Sequence, residues 1–420
     1  MYIDRIKLEN FRTFRKAEIE FVHPDRNFKQ LKLPVPKLEN VNLLLGNNGL
    51  GKTTLLKAIA LAALGPAVRS SGIYANRLVR REPGKIRSRG NGKAKGDALE
   101  AVIEALFTPH EQDRVGKIPK VESRVKVVRK TDLEELQWVH SEEKLWNPIF
   151  SSSSDAFFFV GYGATRRVEK RERADLAGRK SSAFARAQRV QSLFEDAYSL
   201  LPLNSWLPQF RQKNPGRYKQ VVTLINKLMG KGHYRFTGAM EENEYVFDRG
   251  GLKIPFPALS DGYRAYLGWI CDLLYHVCMT APRGKMLREN KGIVMVDEID
   301  LHLHPTWQMT VLRTLATDLP NIQFIVTSHS PLIVGSLEWM NIIVMKPGPK
   351  QSSTTKRIEW PVHGLDADQI LLSDFFGMES TRAPSRSKRL KTLSLKAREG
   401  DTEAAKKLLE EMSRGAEVAR

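Results

Sequence analysis

The chain has 420 residues and carries 67 Lys and Arg against 47 Asp and Glu, which gives a formal net charge of +20. This length predicts about two to four globular domains, each able to bury a core. Two cysteines, Cys271 and Cys278, are too few for a disulfide framework or a four-cysteine metal site, so we expect two buried thiols. The N-terminal segment lacks the apolar core of a signal peptide, and no apolar run approaches the roughly 18–20 residues of a membrane span. We therefore expect a cytoplasmic protein that does not enter a membrane.

Apolar patterning near the start of the chain predicts strands followed by a helix. Alternation around Ile6 and Ile19 predicts two short strands, and the continuous apolar run Val41–Leu45 predicts a fully buried strand. A glycine-rich turn and the helical run TTLLKAIALAAL come next. The stretch from Val68 to Asp97 is rich in Gly, Arg and Lys with little periodicity, which indicates a long loop.

The middle of the chain mixes short apolar runs with Pro and Gly. Phe157 to Val160 has the pattern of another buried strand. Gln191 to Leu228 alternates helical pattern with Pro and Gly, which favours a small helical insertion. Tyr263 to Met279 predicts a strongly apolar helix.

Three further buried strands are expected in the last third, separated by the helical stretch TWQMTVLRTLATDL; they are Ile293–Val296, Ile322–Val326 and Ile342–Met345. Strands that alternate with helices predict an α/β fold with a mostly parallel central sheet flanked by helices, joined here by N-terminal antiparallel strands. We expect one large domain over residues 1–345, with a basic loop at 68–97 and a helical insertion at about 166–250. Residues 346–420 would form a basic C-terminal extension, and its end, DTEAAKKLLEEM, has helical composition.

The positive charge is concentrated in three segments, Arg69–Lys95, Arg166–Arg189 and Thr381–Arg398. A near-neutral body with basic segments is what a surface that binds a polyanion requires. The alternative is that these segments are merely solvated faces. The arginines that we single out as nucleic-acid contacts are Arg80, Arg81, Arg87, Arg89, Arg166, Arg167 and Arg171.

The sharpest motif is GNNGLGKT, which matches the eight-position P-loop pattern between a buried strand and a helix. Glycines let successive backbone N–H groups turn inward on phosphates, and the helix N-terminus adds its positive end. Lys52 would span the β- and γ-phosphates, and the Thr53 hydroxyl would coordinate Mg²⁺. The residues predicted to bind nucleotide are Gly46, Asn47, Asn48, Gly49, Gly51, Lys52, Thr53 and Thr54.

Two more motifs follow buried strands. In GIVMVDE, Asp297 can hold Mg²⁺ and Glu298 can polarise the attacking water, and adjacent residues on an extended strand would point in opposite directions. A plain helix cap is the alternative for this acidic pair. In TSHSP, the imidazole of His329 can reach the γ-phosphate or its water, whereas a histidine with ordinary structural partners is the alternative.

These motifs together resemble the ATP-binding-cassette (ABC) class of P-loop ATPases, and more narrowly the compact SMC/RecF/OLD-like heads. IDRIKLENFRTF is similar to the first strand pair of that family, and DEIDLHLHPTWQ is similar to its Walker B motif and D-loop, where His304 stands in a position that often holds Asp. The interval from Thr54 to Ala258 has no sustained heptads, so no coiled-coil arm is expected. FFVGYGATRR, DEIDLHLHP and LLSDFFGMEST look most like PtuA-type anti-phage defence ATPases, found in Septu and with retrons.

LSDGYR resembles the LSGGQ signature, with Asp261 in place of the first glycine. Ser260 and Gly262 at a helix start can still present a hydroxyl and backbone N–H groups to a γ-phosphate. In the family that phosphate belongs to a second copy, so the resemblance implies a homodimer or higher oligomer closed around ATP and Mg²⁺. The resemblance to PtuA-type ATPases also implies a separately encoded effector nuclease, HNH-type or similar. The chain itself shows no motif that resembles a nuclease.

Some assignments stay open. The loop that senses bound nucleotide could be Gly161–Arg166, or Gln188 could serve as the family's Q-loop glutamine. ATP is favoured over GTP because Asn226-Lys227 lacks the aspartate of the guanine-specificity motif. A metal site at His302 and His304 is disfavoured because no third ligand lies nearby in sequence.

The sequence supports three functional hypotheses. The first is a nucleic-acid-associated ATPase of a defence or repair complex that gates an effector. The second is an ATP-dependent protein scaffold, in which the basic segments dock protein. The third is a transporter ATPase, which the divergent signature and the long basic insertions disfavour. The strength and the salt dependence of duplex binding separate the first two.

Overall fold

The computed structural model describes residues 1–81, 98–113, 118–130, 133–139, 143–150, 158–168, 185–230, 234–281 and 284–413. Contacts divide the chain into two compact units, Met1–Gly364 and Leu365–Arg420. The domain boundary expected at residue 345 remains a prediction. None of the helices in the described ranges is both long and apolar enough to cross a membrane.

The described strands are, in chain order, β1 (Tyr2–Phe11), β2 (Phe14–Glu20), β3 (Val41–Leu45), β4 (Glu100–Thr108), β5 (Val121–Lys130), β6 (Leu133–Trp138), β7 (Phe158–Tyr162), β8 (Arg167–Val168), β9 (Ser199–Leu200), β10 (Arg235–Glu241), β11 (Glu244–Arg249), β12 (Leu252–Pro255), β13 (Gly292–Val296), β14 (Ile322–Thr327), β15 (Ile342–Pro347) and β16 (Ser353–Lys356). The described α-helices are α1 (Phe28–Leu31), α2 (Lys52–Leu64), α3 (Glu143–Phe150), α4 (Ala185–Gln191), α5 (Leu203–Lys213), α6 (Pro215–Met229), α7 (Asp261–Thr280), α8 (Pro305–Gln308), α9 (Val311–Asp318), α10 (Pro331–Gly335), α11 (Ala367–Leu372), α12 (Pro384–Arg398) and α13 (Thr402–Ser413).

A six-stranded sheet in the order β16-β15-β3-β14-β13-β7 forms the centre of the first unit. Its strands are parallel except β16, which pairs antiparallel with β15 at one edge. Strands β3, β13 and β14 are buried at every position. Continuous apolar runs suit such strands because both faces of the sheet are covered. The buried strands predicted from the sequence and the mostly parallel sheet are therefore confirmed.

An antiparallel sheet in the order β2-β1-β4-β5-β6 packs with α2 and the central sheet around one hydrophobic core. Nearly all of α2 is buried, and the Ser123 hydroxyl of β5 donates a 2.7 Å hydrogen bond to the Ala62 carbonyl. Gln323 of β14 joins the two sheets, because its side chain makes hydrogen bonds of 2.8 and 2.9 Å with both backbone groups of Ile3. The antiparallel strand pair expected at the N-terminus is confirmed, and three unpredicted strands extend it.

The predicted helical insertion at about 166–250 is only partly helical. Its described part contains α4, α5 and α6, but it ends in β10 and β11, which form a three-stranded antiparallel sheet with β12. Phe236 and Phe247 face each other across this sheet with ring centroids 5.1 Å apart. These buried aromatic residues stabilise strands in a stretch for which a helical insertion was expected. Residues 169–184 lie outside the described residues.

The predicted loop at 68–97 is described up to residue 81, and residues 82–97 lie outside the described residues. Its described part includes the end of a 3₁₀ turn at Gly65–Ser70 and an isolated antiparallel bridge between Phe11 and Val79. The predicted helix TWQMTVLRTLATDL is broken into α8 and α9.

The second unit contains α11 and a hairpin of α12 and α13. Arg386 donates to the Glu411 carbonyl, and Arg389 forms a 2.9 Å ion pair with the Glu411 carboxylate, which ties the two helices together. The helix expected at DTEAAKKLLEEM is confirmed, whereas α12 was not predicted. The longest helix in the described ranges is α7, with 20 residues, and the described residues include no coiled-coil arm.

Candidate functional site

The P-loop connects the end of β3 to the first residue of α2, the strand–loop–helix arrangement expected from the sequence. Gly51 has a φ of +94°, and a Cβ at this position would clash with the Thr13 hydroxyl. The turn therefore requires glycine here, both for its backbone conformation and for its close contact with the strand-pair turn. Asn47, Asn48 and Gly49 are exposed on the loop.

Lys52 places its ammonium group against the P-loop itself. Its Nζ donates hydrogen bonds of 2.7 Å to the Gly46 carbonyl and 3.3 Å to the Asn47 carbonyl. Burial lowers the pKa of Lys52, while the carboxylates of Asp297 and Glu298 act in the opposite direction. A lysine held in this way is positioned to bind phosphate oxygens that lie along the loop.

Asp297, directly after β13, contacts the start of α2 and the ends of β14 and β7. The Thr53 hydroxyl donates to its Oδ2 at 2.6 Å, and the Thr327 hydroxyl donates to its Oδ1 at 2.6 Å. The backbone N–H of Asp297 donates to the Tyr162 carbonyl at the end of β7. Hydroxyl and carboxylate oxygens are ligands that Mg²⁺ prefers, so Thr53 and Asp297 fit the metal role predicted for them.

Glu298 differs in conformation from the expected strand residue. Strand β13 ends at Val296, and Glu298 is left-handed with a φ of +48°. Its backbone N–H donates to the Thr327 hydroxyl at 2.7 Å. The expectation that Asp297 and Glu298 lie on an extended strand is therefore wrong, because β13 ends before either residue. A left-handed conformation costs a non-glycine residue roughly 1–2 kcal/mol, so the surroundings must stabilise it.

Arg166 lies beside this turn. Its Nη2 donates to the Asp297 carbonyl at 2.9 Å and to the Glu298 carbonyl, and its guanidinium lies 5.6 Å from the Trp269 ring centroid. Burial lowers the pKa of Arg166 to about 10, so it is protonated at neutral pH. The prediction that Arg166 contacts nucleic acid is corrected, because its guanidinium packs on Trp269 and its Nη2 donates to the backbone of the acidic turn.

His329 follows β14 on the same edge of the sheet. Its Nε2 is buried and makes no hydrogen bond with any part of the chain that the structure describes, and the same holds for Oδ1 of Asp300. Buried polar atoms are normally paired, so two unpaired atoms at the carboxyl ends of parallel strands indicate a place for a polar ligand. This geometry fits the phosphate-sensing role predicted for His329.

The signature residues begin α7. Ser260 is the N-cap residue and is exposed, while Asp261 is 92% exposed and forms an ion pair with Arg264. A cleft of about 1040 Å³ adjoins them, and its lining includes Ser260, Gly262, Tyr263, His302, His304 and Trp307. The signature and the D-loop residue His304 thus share one surface. No group of three or more His, Cys, Asp or Glu side chains in the described ranges could hold a metal ion.

Of the other predicted nucleic-acid contacts, the structure describes Arg80, Arg81 and Arg167, and these three differ in exposure. Arg80 is only 4% exposed and donates to the carbonyls of Arg12 and Thr13. The prediction that Arg80 contacts nucleic acid is therefore corrected. Arg81 is half-buried, whereas Arg167 of β8 is exposed. Arg87, Arg89 and Arg171 lie outside the described residues.

Sequence reasoning missed Thr327, which supports both acidic residues of the turn. A threonine that ends a buried strand next to the acidic motif was the available signal. Of the two sensing-loop alternatives, Gly161–Arg166 begins in the last two residues of β7, the parallel neighbour of β13, and its Arg166 contacts the Asp297 backbone. Gln188 lies on α4. Thr54 is buried in the first turn of α2.

The central parallel sheet, the P-loop and the acidic turn together define a P-loop nucleotide-binding protein with an ABC-type head. Residues 41–335 match the protein family described as "AAA domain, putative AbiEii toxin, Type IV TA system", and residues 1–64 match "AAA ATPase domain". The first match covers well over half of the chain, so the chain belongs to this family of AAA-domain ATPases.

Curated relatives place it more narrowly. The Septu protein PtuA of Bacillus mycoides is 22% identical over 387 residues, covering 90% of this chain and 45% of that protein. The Retron Ec83 probable ATPase of Escherichia coli is 24% identical over 383 residues, covering 77% of this chain and 70% of that protein. The chain thus spans less than half the length of that PtuA protein. It is an SMC/RecF-like ABC ATPase related to the PtuA-type defence ATPases.

Solved structures agree on the fold. The crystal structure of an Smc head bound to the C-terminal winged-helix domain of ScpA has a TM-score of 0.50 at 16% identity, covering 85% of this chain and 98% of that one. A Pyrococcus furiosus Smc head domain with an extended coiled coil has a TM-score of 0.50 at 15% identity, covering 85% of this chain and 96% of that one. At this identity the likeness shows an SMC-head-like α/β fold.

Proposed function

We propose that this protein binds and hydrolyses ATP with Mg²⁺ as a dimer, each copy completing the site of the other, and that this cycle regulates a separately encoded effector nuclease in anti-phage defence. The observation that carries the proposal is the Asp297 carboxylate, which accepts from Thr53 of the P-loop helix on one oxygen and from Thr327 on the other. This arrangement supports a Mg²⁺ site, because a carboxylate, a P-loop hydroxyl and a strand-end hydroxyl lie together at one edge of the sheet.

The chemistry divides among residues of this chain. Lys52 and the P-loop N–H groups bind the β- and γ-phosphates, and Thr53 and Asp297 would hold Mg²⁺, which neutralises phosphate charge when it is bound. Glu298 accepts a proton from the attacking water, and His329 donates a hydrogen bond toward the γ-phosphate. Positioning and electrostatic stabilisation supply most of the rate in phosphoryl transfer, so small displacements of these groups are costly.

Binding and turnover can be separated by substitution. Lys52→Ala should abolish ATP binding, whereas Glu298→Gln should bind ATP normally, lose turnover and accumulate a nucleotide-bound dimer. Equilibrium binding of a fluorescent ATP analogue, phosphate release and light scattering measure the three properties. Glu359→Gln, at an exposed position, is the matched control. If Glu298→Gln turns over ATP at the wild-type rate, the role given to Glu298 is wrong.

Completion of the site by a second copy is supported by the exposed N-cap Ser260 at the start of α7. Ser260→Arg should block turnover without changing the ATP affinity of dilute monomer.

Mixing Ser260→Arg with Lys52→Ala offers a sharper test. A mixed dimer contains one intact site, built from the P-loop of the first variant and the signature of the second. Recovery of up to half the wild-type activity per mixed dimer is expected, and no recovery at any mixing ratio would refute shared sites.

Nucleic-acid binding is part of the proposal, and α12 is the element that supports it. All six basic side chains of α12 are exposed, and the helix contains no acidic residue; they are Arg386, Lys388, Arg389, Lys391, Lys396 and Arg398. Lys388, Lys396 and Arg398 have no ion-pair partner within 4 Å in the described ranges. Each phosphate contact steepens the salt dependence of duplex affinity by about 0.9 in log–log slope.

Replacing these three residues by Gln should therefore lower the slope by roughly two to three and weaken binding to a duplex of any sequence. A triple Gln variant of the exposed residues Lys29, Arg313 and Lys356 is the matched control. Absence of duplex binding by the wild-type protein at low salt would favour the second candidate function, an ATP-dependent scaffold or switch whose partner is protein.

Effector regulation rests on the relationship to PtuA-type ATPases. Co-expression with an HNH-type or similar nuclease encoded by a neighbouring gene should give a complex that copurifies. Its nuclease activity should change when ATP is added, and Glu298→Gln should hold it in one state. A nuclease that neither binds the ATPase nor responds to ATP would contradict this part of the proposal.

A further inference from the structure

We propose that Arg166 is a positioning residue, which holds Glu298 in its left-handed conformation and so sets the place of the carboxylate that activates water. The inference rests on the role proposed for Glu298. It gives Arg166 a task at the nucleotide site that its place in a basic segment did not suggest.

The backbone around Glu298 is fixed from both sides. Its N–H donates to the Thr327 hydroxyl at 2.7 Å. Its carbonyl accepts from the Arg166 Nη2 and from the Leu301 N–H, the latter at 3.0 Å. The same Nη2 also donates to the Asp297 carbonyl at 2.9 Å, so one guanidinium nitrogen bridges two successive peptide groups.

This bridge matters because the turn departs from the strand. Beyond β13, the carbonyls of Asp297 and Glu298 are outside the parallel ladder and need other donors. The left-handed conformation of Glu298 costs roughly 1–2 kcal/mol, comparable to the contribution of one or two hydrogen bonds. Removing the Arg166 donors would let Glu298 adopt other conformations without unfolding the sheet.

The shape of arginine suits this task. A planar guanidinium presents several donors in a fixed fork and can lie on an aromatic ring at the same time, whereas an ammonium is a point charge on a flexible stem. Here the ring is Trp269 of α7, 5.6 Å from the guanidinium carbon. The indole thus packs against the guanidinium while the Nη2 atom donates to the turn.

Nucleotide binding should be largely independent of this contact. Lys52 and Thr53 belong to the β3–α2 segment, and neither makes a hydrogen bond to Arg166. Loss of Arg166 is therefore expected to lower kcat and to leave KM and ATP affinity nearly unchanged. A misplacement of about 1 Å at a reacting group can cost on the order of 100-fold in rate.

The test compares Arg166→Gln and Arg166→Lys with Arg313→Gln, a control at an exposed position of α9. Arg166→Gln should lower kcat about 10- to 100-fold with KM within threefold of wild type. Arg166→Lys should recover part of the rate, and Arg313→Gln should match wild type. In a Glu298→Gln background, Arg166→Gln should change the residual turnover less than twofold, because the carboxylate it positions is already gone.

The inference is overturned if Arg166→Gln keeps the wild-type kcat, or if it lowers turnover by the same factor in the wild-type protein and in the Glu298→Gln variant. It is also overturned if ATP affinity falls in parallel with kcat in a protein that retains its thermal unfolding midpoint, since that would make Arg166 a nucleotide ligand. Equal turnover by wild type and Glu298→Gln would instead refute the proposed role of Glu298. The two failures are thus distinguishable.

Discussion

Replacing Thr327 by Val removes one hydroxyl that serves two groups. This hydroxyl donates to the Asp297 carboxylate at 2.6 Å and accepts from the Glu298 N–H at 2.7 Å, and Thr327 is fully buried at the end of β14. Valine has nearly the same shape, so the main effect is the loss of both hydrogen bonds. A buried group left unpaired costs about 1–3 kcal/mol, which predicts a total of about 2–6 kcal/mol. The lower half of that range is expected because the other oxygen of Asp297 keeps its bond to Thr53.

Urea unfolding followed by circular dichroism measures the stability, and phosphate release measures the activity. Thr327→Ser is the matched control, because it keeps the hydroxyl and loses one methyl group at a cost of about 1 kcal/mol. The Val variant should be the less stable of the two, and its kcat should be the lower. Equal stability for both variants, with full activity in the Val variant, would refute the view that Thr327 supports the acidic turn.

Three further predictions concern the surrounding fold. In Gly163→Ala the new Cβ would clash with the Ser192 carbonyl. We therefore expect the free energy of unfolding to fall by about 1–3 kcal/mol, and an unchanged thermal unfolding midpoint would contradict this. Tyr162→Phe removes the 2.8 Å hydrogen bond to the fully desolvated Asp272, which should cost about 1–3 kcal/mol in urea unfolding and leave ATP affinity unchanged. Burial lowers the pKa of His110 to about 3, so between pH 6.5 and 5 the unfolded chain takes up a proton that the folded protein does not. Stability should therefore fall with decreasing pH, with a slope from this residue that rises from about 0.7 toward about 1.4 kcal/mol per unit, and His110→Gln should have a shallower slope. An identical slope in both proteins would rule out this cause.

The strands that sequence reasoning identified are those buried on both faces. Strands β3, β13 and β14 are unbroken apolar runs, which a short window of sequence reveals. Strand β5 was overlooked although VESRVKVVRK alternates buried and exposed residues along its length. Charged residues such as Glu122 and Arg124, which lie on the solvent side of an antiparallel sheet, hide a signal with a period of two.

The functional residues divide in a similar way. The P-loop and the Asp297-Glu298 pair are contiguous motifs with fixed chemistry, so their residues can be named from sequence. The tasks of Thr327, Arg166 and Arg80 depend on contacts across the fold. Arg80 stands in a basic run that predicts exposure, but its guanidinium is buried and pairs with carbonyls near the β1–β2 turn and after β15. Local composition contains no information about such partners.

The position of β3 in the sheet affects how the protein folds while it is being synthesised. Val41 of β3 pairs with Phe324 of β14, and Leu43 pairs with Ile342 of β15, so both neighbours of this strand are synthesised about 280–300 residues after it. At about 5–20 residues per second, the ribosome needs roughly 15–60 s to supply them. During that interval an apolar strand lacks both of its lateral partners, and such intermediates are prone to aggregate. Nascent chains that stop before β14 should therefore lack a complete nucleotide site. We expect these chains to depend most on chaperones.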